Sequence, residues 1–487
     1  MVPGARVYTM SEHFDLVVVG AGPAGEKGAA QAAYFGKKVC LIERAPKPGG
    51  AAVNTGTIPA NTLRESAVLL AGLRRKGLYG VEFHVQPDLS VADFMQRERQ
   101  VVEAAWRDIE DNLARHDITM IQGAARFTSP QAVEVTRHGR PARSITGDIF
   151  LLTPGAQPWR PAHVPFDGAI IIDSADVLTM PRIPPRMLIV GGGTIGCMYA
   201  CIFASLGAHV TLVTNRERLL AHFDQEVGEA LRAEMTRRFG IHVLLAVDIA
   251  HIEAQGGLGY VTTVDENTLV ADCVLYCAGR AGSTEYLGLE NAGVATNLRG
   301  FILVDERFRT STTHIYAAGD VIGYPGRAST GMEQARVAMC HAFGLRYKQA
   351  VSSIIPFGVW TIPEVASVGM SETEARARGI DCEIGQADLR HNARGQILGE
   401  TSGFVKLVFN AEDQLLLGAS IVGEGACEII HVPSAVLAHH GTLDYFIQAV
   451  FNFPSLTEAF KYAAYDGLQR IQARVRRSGG MRAIPNE

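Results

Sequence analysis

Twice in 487 residues an apolar strand runs into a glycine-rich turn that opens a helix. The first copy is Phe14-Asp15-Leu16-Val17-Val18-Val19, then Gly20-Ala21-Gly22-Pro23-Ala24-Gly25 and an alanine-rich helix, then a strand from Lys38 to Ile42 that ends at Glu43. The second is Met187-Leu188-Ile189-Val190, then Gly191-Gly192-Gly193-Thr194-Ile195-Gly196, a helix, and the strand His209-Val210-Thr211-Leu212-Val213. Strands this apolar read as buried on both faces, which calls for helices on either side of a parallel sheet. In the first copy Gly20 makes the tight turn, Gly22 lets backbone approach a pyrophosphate, and Gly25 allows close helix packing. The helix N-terminus offers unpaired N–H groups and a positive dipole end to phosphates. Glu43 is placed to accept from ribose hydroxyls. A single glycine turn can arise for purely steric reasons, but two in the same strand-turn-helix context predict two dinucleotide-binding folds in one chain.

A third signal, Thr310 to Asp320, delivers a carboxylate directly after Gly319, where Asp320 can bind a polyol hydroxyl or merely cap the following helix. From about residue 353 alternating strands (Phe404 to Phe409, Leu415 to Val422) precede helices, as in an α+β domain. Hydrophobic content of 47%, charged content of 20% and a net charge of −5 describe a globular chain without a basic footprint for nucleic acid or an anionic membrane. Arg470, Arg474, Arg476, Arg477 and Arg482 read as a solvated helix face and a frayed end. No apolar run is long enough to span a bilayer and no signal-peptide pattern opens the chain, so the expected location is cytoplasmic and the expected partners are small metabolites. The eight cysteines make no CxxC or zinc spacing, and no metal site is expected.

The stretch from Gly49 to Asn61 reads Gly49-Gly50-Ala51-Ala52-Val53-Asn54-Thr55-Gly56-Thr57-Ile58-Pro59-Ala60-Asn61. It resembles GGxCxxxGCxPxK, the redox-disulfide frame of the flavoprotein disulfide reductases, the family of dihydrolipoamide dehydrogenase and glutathione reductase. The resemblance extends through Thr153-Pro154-Gly155-Ala156, Gly279-Arg280, Ala318-Gly319-Asp320, Thr361-Ile362-Pro363-Glu364 and Pro454 to Glu458. It implies an α/β chain with two Rossmann-like domains and an α+β dimerisation domain. The FAD domain would be split into residues 1–155 and 283–352, around an NAD(P) domain at 156–282, with an interface domain at 353–487 that makes a homodimer. It also implies cofactor contacts from Gly20, Gly22, Pro23, Ala24, Gly25, Glu43, Gly50, Thr57, Gly155, Gly319 and Asp320 for FAD. The second turn offers NAD(P)H Gly191, Gly193, Thr194, Ile195 and Gly196, with Thr214, Asn215 and Arg216 after its second strand, and Gly279 and Arg280 complete the cofactor-binding set. Likeness within the family runs to the soluble pyridine nucleotide transhydrogenase branch, through Gly56 to Pro59, Arg218 to Ala221, Asp224 to Glu226, Asp320 to Pro325 and Phe451 to Pro454.

The departures from the family frame are as informative. Both cysteine positions are vacated, by Ala52 and Thr57, so no dithiol can relay electrons there. Phe453 stands where the family has the histidine that works as acid/base for the thiols, and Glu458 has lost the partner it would orient. The lysine after the proline is Asn61, and the glutamate that would pair with it beside the flavin is Met198. Their joint loss is coherent, because losing one alone would strand a buried charge. Ala51, Ala52, Thr57, Ala60 and Asn61 are all small, which suggests a widened pocket over the flavin or drift in a site no longer used.

These readings predict an FAD-dependent NAD(P)H oxidoreductase without a redox disulfide. Its expected reaction is hydride transfer between NADPH and NAD. The alternative is direct reduction of a quinone or small organic molecule, with a proton donor among residues such as His391, His439, His440 or Tyr465. A third possibility, a flavoprotein scaffold without turnover, sits poorly with the intact second glycine turn. After the second ribose-binding strand an acid would favour NAD. Here Arg216 and Arg218 can neutralise a 2′-phosphate, while Thr214 and Asn215 still tolerate a free hydroxyl.

Overall fold

In a computed structural model, residues 12–76, 91–399 and 402–477 are described; Arg482 lies outside them. Strand β1 (Glu12–Val19) and β2 (Val39–Glu43) flank helix α1 (Pro23–Tyr34). They pair in parallel with β3 (Thr119–Gln122) and with the C-terminal half of β6 (Arg140–Leu152), which pairs in turn with β17 (Ile315–Ala317). The N-terminal half of β6 turns instead into an antiparallel ribbon with β4 (Ala124–Ser129) and β5 (Ala132–Arg137). Leu16, Val17, Val18, Leu41, Phe150, Leu151 and Leu152 are all fully buried, as the unbroken apolar runs demand. β2 lies one residue later than predicted, so that Glu43 is its last ladder residue rather than the residue after it.

β7 (Ala156–Pro158) leads out of this unit and pairs with β16 (Arg280–Gly282) on the return. Between them lies a parallel sheet ordered β11-β10-β9-β15-β8, where β8 is Ile171–Asp173, β9 Arg186–Val190, β10 His209–Val213, β11 His242–Leu244 and β15 Cys273–Tyr276. A three-stranded meander, β12 to β14 (residues 249–271), covers one side. The C-terminal unit is an antiparallel sheet, β18-β19-β22-β21-β20 (residues 357–422), backed by the helix Ala459–Arg477.

Two long-range devices hold the three units together. Helices α2 (Gly50–Asn54) and α3 (Thr57–Lys76) continue from the first unit, followed by α4 (Val91–Phe94) and α5 (Gln96–Arg115). Ala60, Leu63 and Ala67 of α3 share one apolar core with Cys197, Cys201 and Ile202 of α6 (Thr194–Leu206), and with Val365 and Phe404 of the C-terminal sheet. The second device is ionic. Lys406, 2% exposed, places Nζ 2.7 Å from Glu372, 2.9 Å from Glu226 and 3.5 Å from Asp224. Asp224 and Glu226 begin α7 (Gln225–Phe239), so a cation from the C-terminal sheet holds the end of a helix of the second unit, where acids suit the dipole.

Candidate functional site

The first glycine turn is built by steric exclusion. A Cβ on Gly25 would lie 1.9 Å from the Gly20 carbonyl oxygen, and Gly20 itself sits at φ +104° with a Cβ position 2.4 Å from the Thr153 carbonyl. Thr153 Oγ1 donates to the carbonyls of Val19 and Gly20 at 3.1 and 2.9 Å, fixing the turn to the end of β6. The N-terminus of α2 comes beside that of α1, since a Cβ on Gly50 would stand 2.8 Å from Gly22 Cα. Gly22 meets nothing else within 4 Å, which leaves an open cradle lined by backbone N–H groups. Glu43 is buried and accepts from the backbone N–H of Ala21 at 2.7 Å and of Ala45 at 2.8 Å, so its first task is to hold the turn. On the other side of β6, the Gly319 N–H donates to Gln334 at 2.9 Å on α8 (Ala328–Ala342). Asp320 follows it, half-buried, its carboxylate accepting no hydrogen bond among the described residues, and burial raises its pKa against the opposing charge of Arg280. A carboxylate without a protein partner beside an open cradle fits a polyol ligand, and the capping alternative finds no support. The residues present fit FAD.

The second turn repeats the geometry with one difference. Gly196 would place its Cβ 1.9 Å from the Gly191 carbonyl, as Gly25 does to Gly20, but a Cβ on Gly193 would meet nothing within 4 Å. Gly193 is at φ −85°, where any residue is at ease, so no demand of the protein itself keeps it a glycine. Thr194 and Ile195 open α6 behind it. Thr214 is buried against Gly192, whereas Asn215 and Arg216 are exposed. The Arg216 backbone is pinned, its N–H donating to Thr214 Oγ1 at 3.3 Å and its carbonyl accepting from Ala246 at 2.9 Å. The two arginines separate here: Arg218 donates to the Ala221 carbonyl at 3.1 Å, while the Arg216 guanidinium has no partner among the described residues. Gly279, at φ +139°, and Arg280 close the far side, with Arg280 donating to the Ala156 carbonyl.

Ala52 lies in α2 and Thr57 begins α3; all eight cysteines are free and elsewhere. Thr57 and Asn61 line a cavity of about 500 Å³ together with Ile58, Thr62, Arg97 and Val101. Ala60 does not widen it. It is 3% exposed and packs into the core shared with α6, as does the thioether of Met198, so the smallness of residue 60 serves helix packing. Phe453 and Glu458 lie on the C-terminal unit, Phe453 at 74% exposed, and a single chain does not bury them in the cleft. His391, His439, His440 and Tyr465 are likewise exposed on that unit. What the motifs did not point to is Arg64, one turn along α3 from Asn61 and 1% exposed. It donates to the Thr361 carbonyl at 3.2 Å and pairs with Glu65, Glu364 and Glu424 at 2.7, 3.3 and 3.3 Å. Burial works to lower its pKa, and the carboxylates of Glu424 and Glu364 outweigh it. No local pattern announces a partner some 300 residues away.

Two nucleotide cradles joined by an antiparallel C-terminal sheet define a class of two-nucleotide flavoenzymes. The chain matches the pyridine nucleotide-disulphide oxidoreductase family over residues 14–342 and that family's dimerisation domain over 355–464. It belongs to that family, and it is an FAD-containing oxidoreductase that uses NAD(P)H. It is 40% identical over 467 residues to the soluble pyridine nucleotide transhydrogenase of Mycobacterium bovis, covering 94% of this chain and 98% of the relative. The Yersinia pestis protein of the same name is 35% identical over 462 residues, covering 94% and 99%. Among solved structures it is similar to LpdA from Mycobacterium tuberculosis (TM-score 0.84, 26% identity, 93% of this chain and 99% of that one). It is also similar to the HOCl-induced flavoprotein disulfide reductase RclA from Escherichia coli (TM-score 0.82, 26% identity, 93% and 99%). Among the described residues no helix is long and apolar enough to cross a membrane and no group of side chains could hold a metal ion.

Proposed function

We propose that this chain, as a homodimer, moves hydride between NADPH and NAD through FAD with no sulfur relay. The observation that carries the reading is the pairing of an intact second glycine turn, open at Gly193, with Ala52 and Thr57 at the relay positions. Bound FAD supplies the hydride-accepting and hydride-donating chemistry. The protein binds and orients: Gly22 and Gly50 admit the FAD pyrophosphate, Asp320 takes a hydroxyl of its polyol chain, and the loop of Gly191 to Gly196 seats the coenzyme. Transfer needs the two rings in close contact, about 3–3.5 Å, and no acid or base on the opposite face, which accords with Phe453. The transhydrogenase relatives support the same reading.

Stopped-flow mixing with NADPH under anaerobic conditions tests it. The yellow holoenzyme is expected to bleach and to recover its colour on adding thio-NAD⁺. Recovery only with a quinone would reject transhydrogenation in favour of the second reading. The cavity beside Thr57 and Asn61 favours that alternative, since about 500 Å³ is ample for a small organic acceptor. Coenzyme choice rests on Arg216. Arg216→Ala is expected to raise KM for NADPH about 10- to 100-fold, the worth of charge-assisted hydrogen bonds to a 2′-phosphate. KM for NADH should stay within about twofold, because a free hydroxyl carries no charge for Arg216 to pair with. Equal effects on both coenzymes would remove Arg216 from that role.

A further inference from the structure

Of the stretches that carry the likeness to the transhydrogenase branch, three meet in space although none supplies a glycine turn. Arg218 to Ala221 and Asp224 to Glu226 belong to one segment, residues 218–226, which leads from the second ribose-binding strand into α7. On one side this segment holds the coenzyme turn. The Leu220 N–H donates to the Gly192 carbonyl at 3.0 Å, and a Cβ on Gly192 would lie 3.0 Å from the Leu219 side chain. Leu220 sits at φ +47°, a left-handed conformation that a bulky residue keeps only where its surroundings over-determine it. The packing continues into α7, where a Cβ on Gly228 would lie 2.6 Å from the Leu219 carbonyl oxygen.

On its other side the segment meets both remaining units. The His222 ring faces Tyr324 of the first unit at 6.4 Å, which brings in the third stretch, Asp320 to Pro325. Phe223 packs on Phe357 of β18 (Phe357–Val359) at 5.0 Å. Asp224 and Glu226 face Lys406 of β21 (Phe404–Asn410), whose third carboxylate, Glu372, comes from its own unit. One buried cation among three carboxylates is a poor source of stability, since well-packed apolar residues of similar volume do as well or better. Asp224 is itself buried, and its Oδ2 accepts no hydrogen bond among the described residues. What such a cluster fixes is placement: three carboxylates at 2.7, 2.9 and 3.5 Å from one ammonium hold α7 in a single seat on the C-terminal sheet.

Arg64 ties the first unit to the C-terminal unit through Glu364, and Lys406 ties the C-terminal unit to the second. The two cradles are therefore registered through a third body. We infer that Lys406, acting through residues 218–226, is a positioning residue for hydride transfer: it sets where the second glycine turn, and with it the nicotinamide, stands over the flavin. In that transfer the nicotinamide C4–H bond breaks, the flavin N5–H bond forms and both electrons travel with the hydrogen. Its rate depends steeply on the approach of the two atoms, and a misplacement of about 1 Å costs about 100-fold. This role rests on the coenzyme being held at the second turn and not on which acceptor takes the hydride.

Lys406→Met, alone and with Asp224→Asn, is compared with the parent as FAD-loaded enzyme. Anaerobic stopped flow with NADPH reads the limiting rate of flavin reduction and the coenzyme dissociation constant. NADP⁺ titration of the reduced enzyme reads the long-wavelength charge-transfer absorbance of stacked rings, and urea unfolding reads stability. Lys406→Met is expected to lower the limiting rate about 10- to 100-fold and to weaken the charge-transfer band. The dissociation constant should stay within about threefold, because Gly193 and Arg216 are untouched. Adding Asp224→Asn removes the stranded carboxylate, so stability should recover in large part while reduction stays slow. Recovery of the rate together with stability would make the cluster a stability element and overturn the inference. An unchanged limiting rate in Lys406→Met, or a raised dissociation constant at unchanged rate, would do the same. Should the methionine variant fail to fold, Glu226→Gln reads the same quantities with an expected fall of about threefold, and an unchanged rate there would overturn it likewise. Normal reduction of a Gly193→Leu variant is a separate failure, which removes the coenzyme site itself.

Discussion

Gly193→Leu is expected to slow bleaching of the flavin by NADPH and NADH about 100-fold while leaving FAD bound and stability nearly unchanged. Gly193 has an ordinary backbone conformation and open space where a side chain would project, so the protein tolerates the substitution within about 0.5 kcal/mol, as for most surface changes. The space is that in front of the α6 N-terminus, where a pyrophosphate must come against backbone N–H groups. A leucine there displaces it, and the loss in the second-order reduction rate should reach about 100-fold, since misplacement of about 1 Å alone costs that much. The neighbouring Gly196→Leu is the contrast: its Cβ falls 1.9 Å from a carbonyl, so it disrupts the second unit itself. Normal reduction of Gly193→Leu by either coenzyme would move the coenzyme site elsewhere.

The second large effect is on stability. Arg64→Met removes the cation that Glu364 faces while Glu364 stays buried, and breaking a buried pair in this way costs about 3–5 kcal/mol. Glu424 is 34% exposed and can remain solvated, so Glu364 accounts for most of the loss. Urea unfolding of the holoenzyme reads it, and Arg64→Met with Glu364→Gln should recover a large part, since removing both charges is far cheaper than removing one. The deficit also has a pH signature. Burial already raises the Glu364 carboxyl above its ordinary 4.5, with Arg64 opposing, so without Arg64 it rises further. A carboxyl raised in the folded state is harmless below its unfolded pKa and costs stability as pH climbs through the folded value. The variant should therefore approach the parent at acid pH and fall away from it toward neutrality. A deficit independent of pH would mean that Glu364 is not the stranded group.

Much of the architecture was legible because its causes are local. Gly25 and Gly196 must be glycine whatever the rest of the chain does, since their Cβ atoms would strike carbonyls five residues back. The runs Leu16 to Val19 and Leu188 to Val190 can only be strands covered on both faces. Glu43 closes β2, and Asp320 opens a short turn after β17 and Gly319, though only the structure shows Glu43 spending its carboxylate on the turn. The altered frame was less legible. Residues 51 to 61 showed which groups were missing, not which of the small replacements border open space: Thr57 and Asn61 do, and Ala60 is core.

The chain's own letters determined two glycine turns in strand-turn-helix context and the family they belong to, because turn sterics and strand burial are properties of short segments. The tertiary structure decided which charges find partners. Arg64 reaches Glu364 and Lys406 reaches Glu226, and each outcome depends on how the three units close on one another. Pairing across such distances is set by that closure and by the burial it imposes, and no local spacing encodes it.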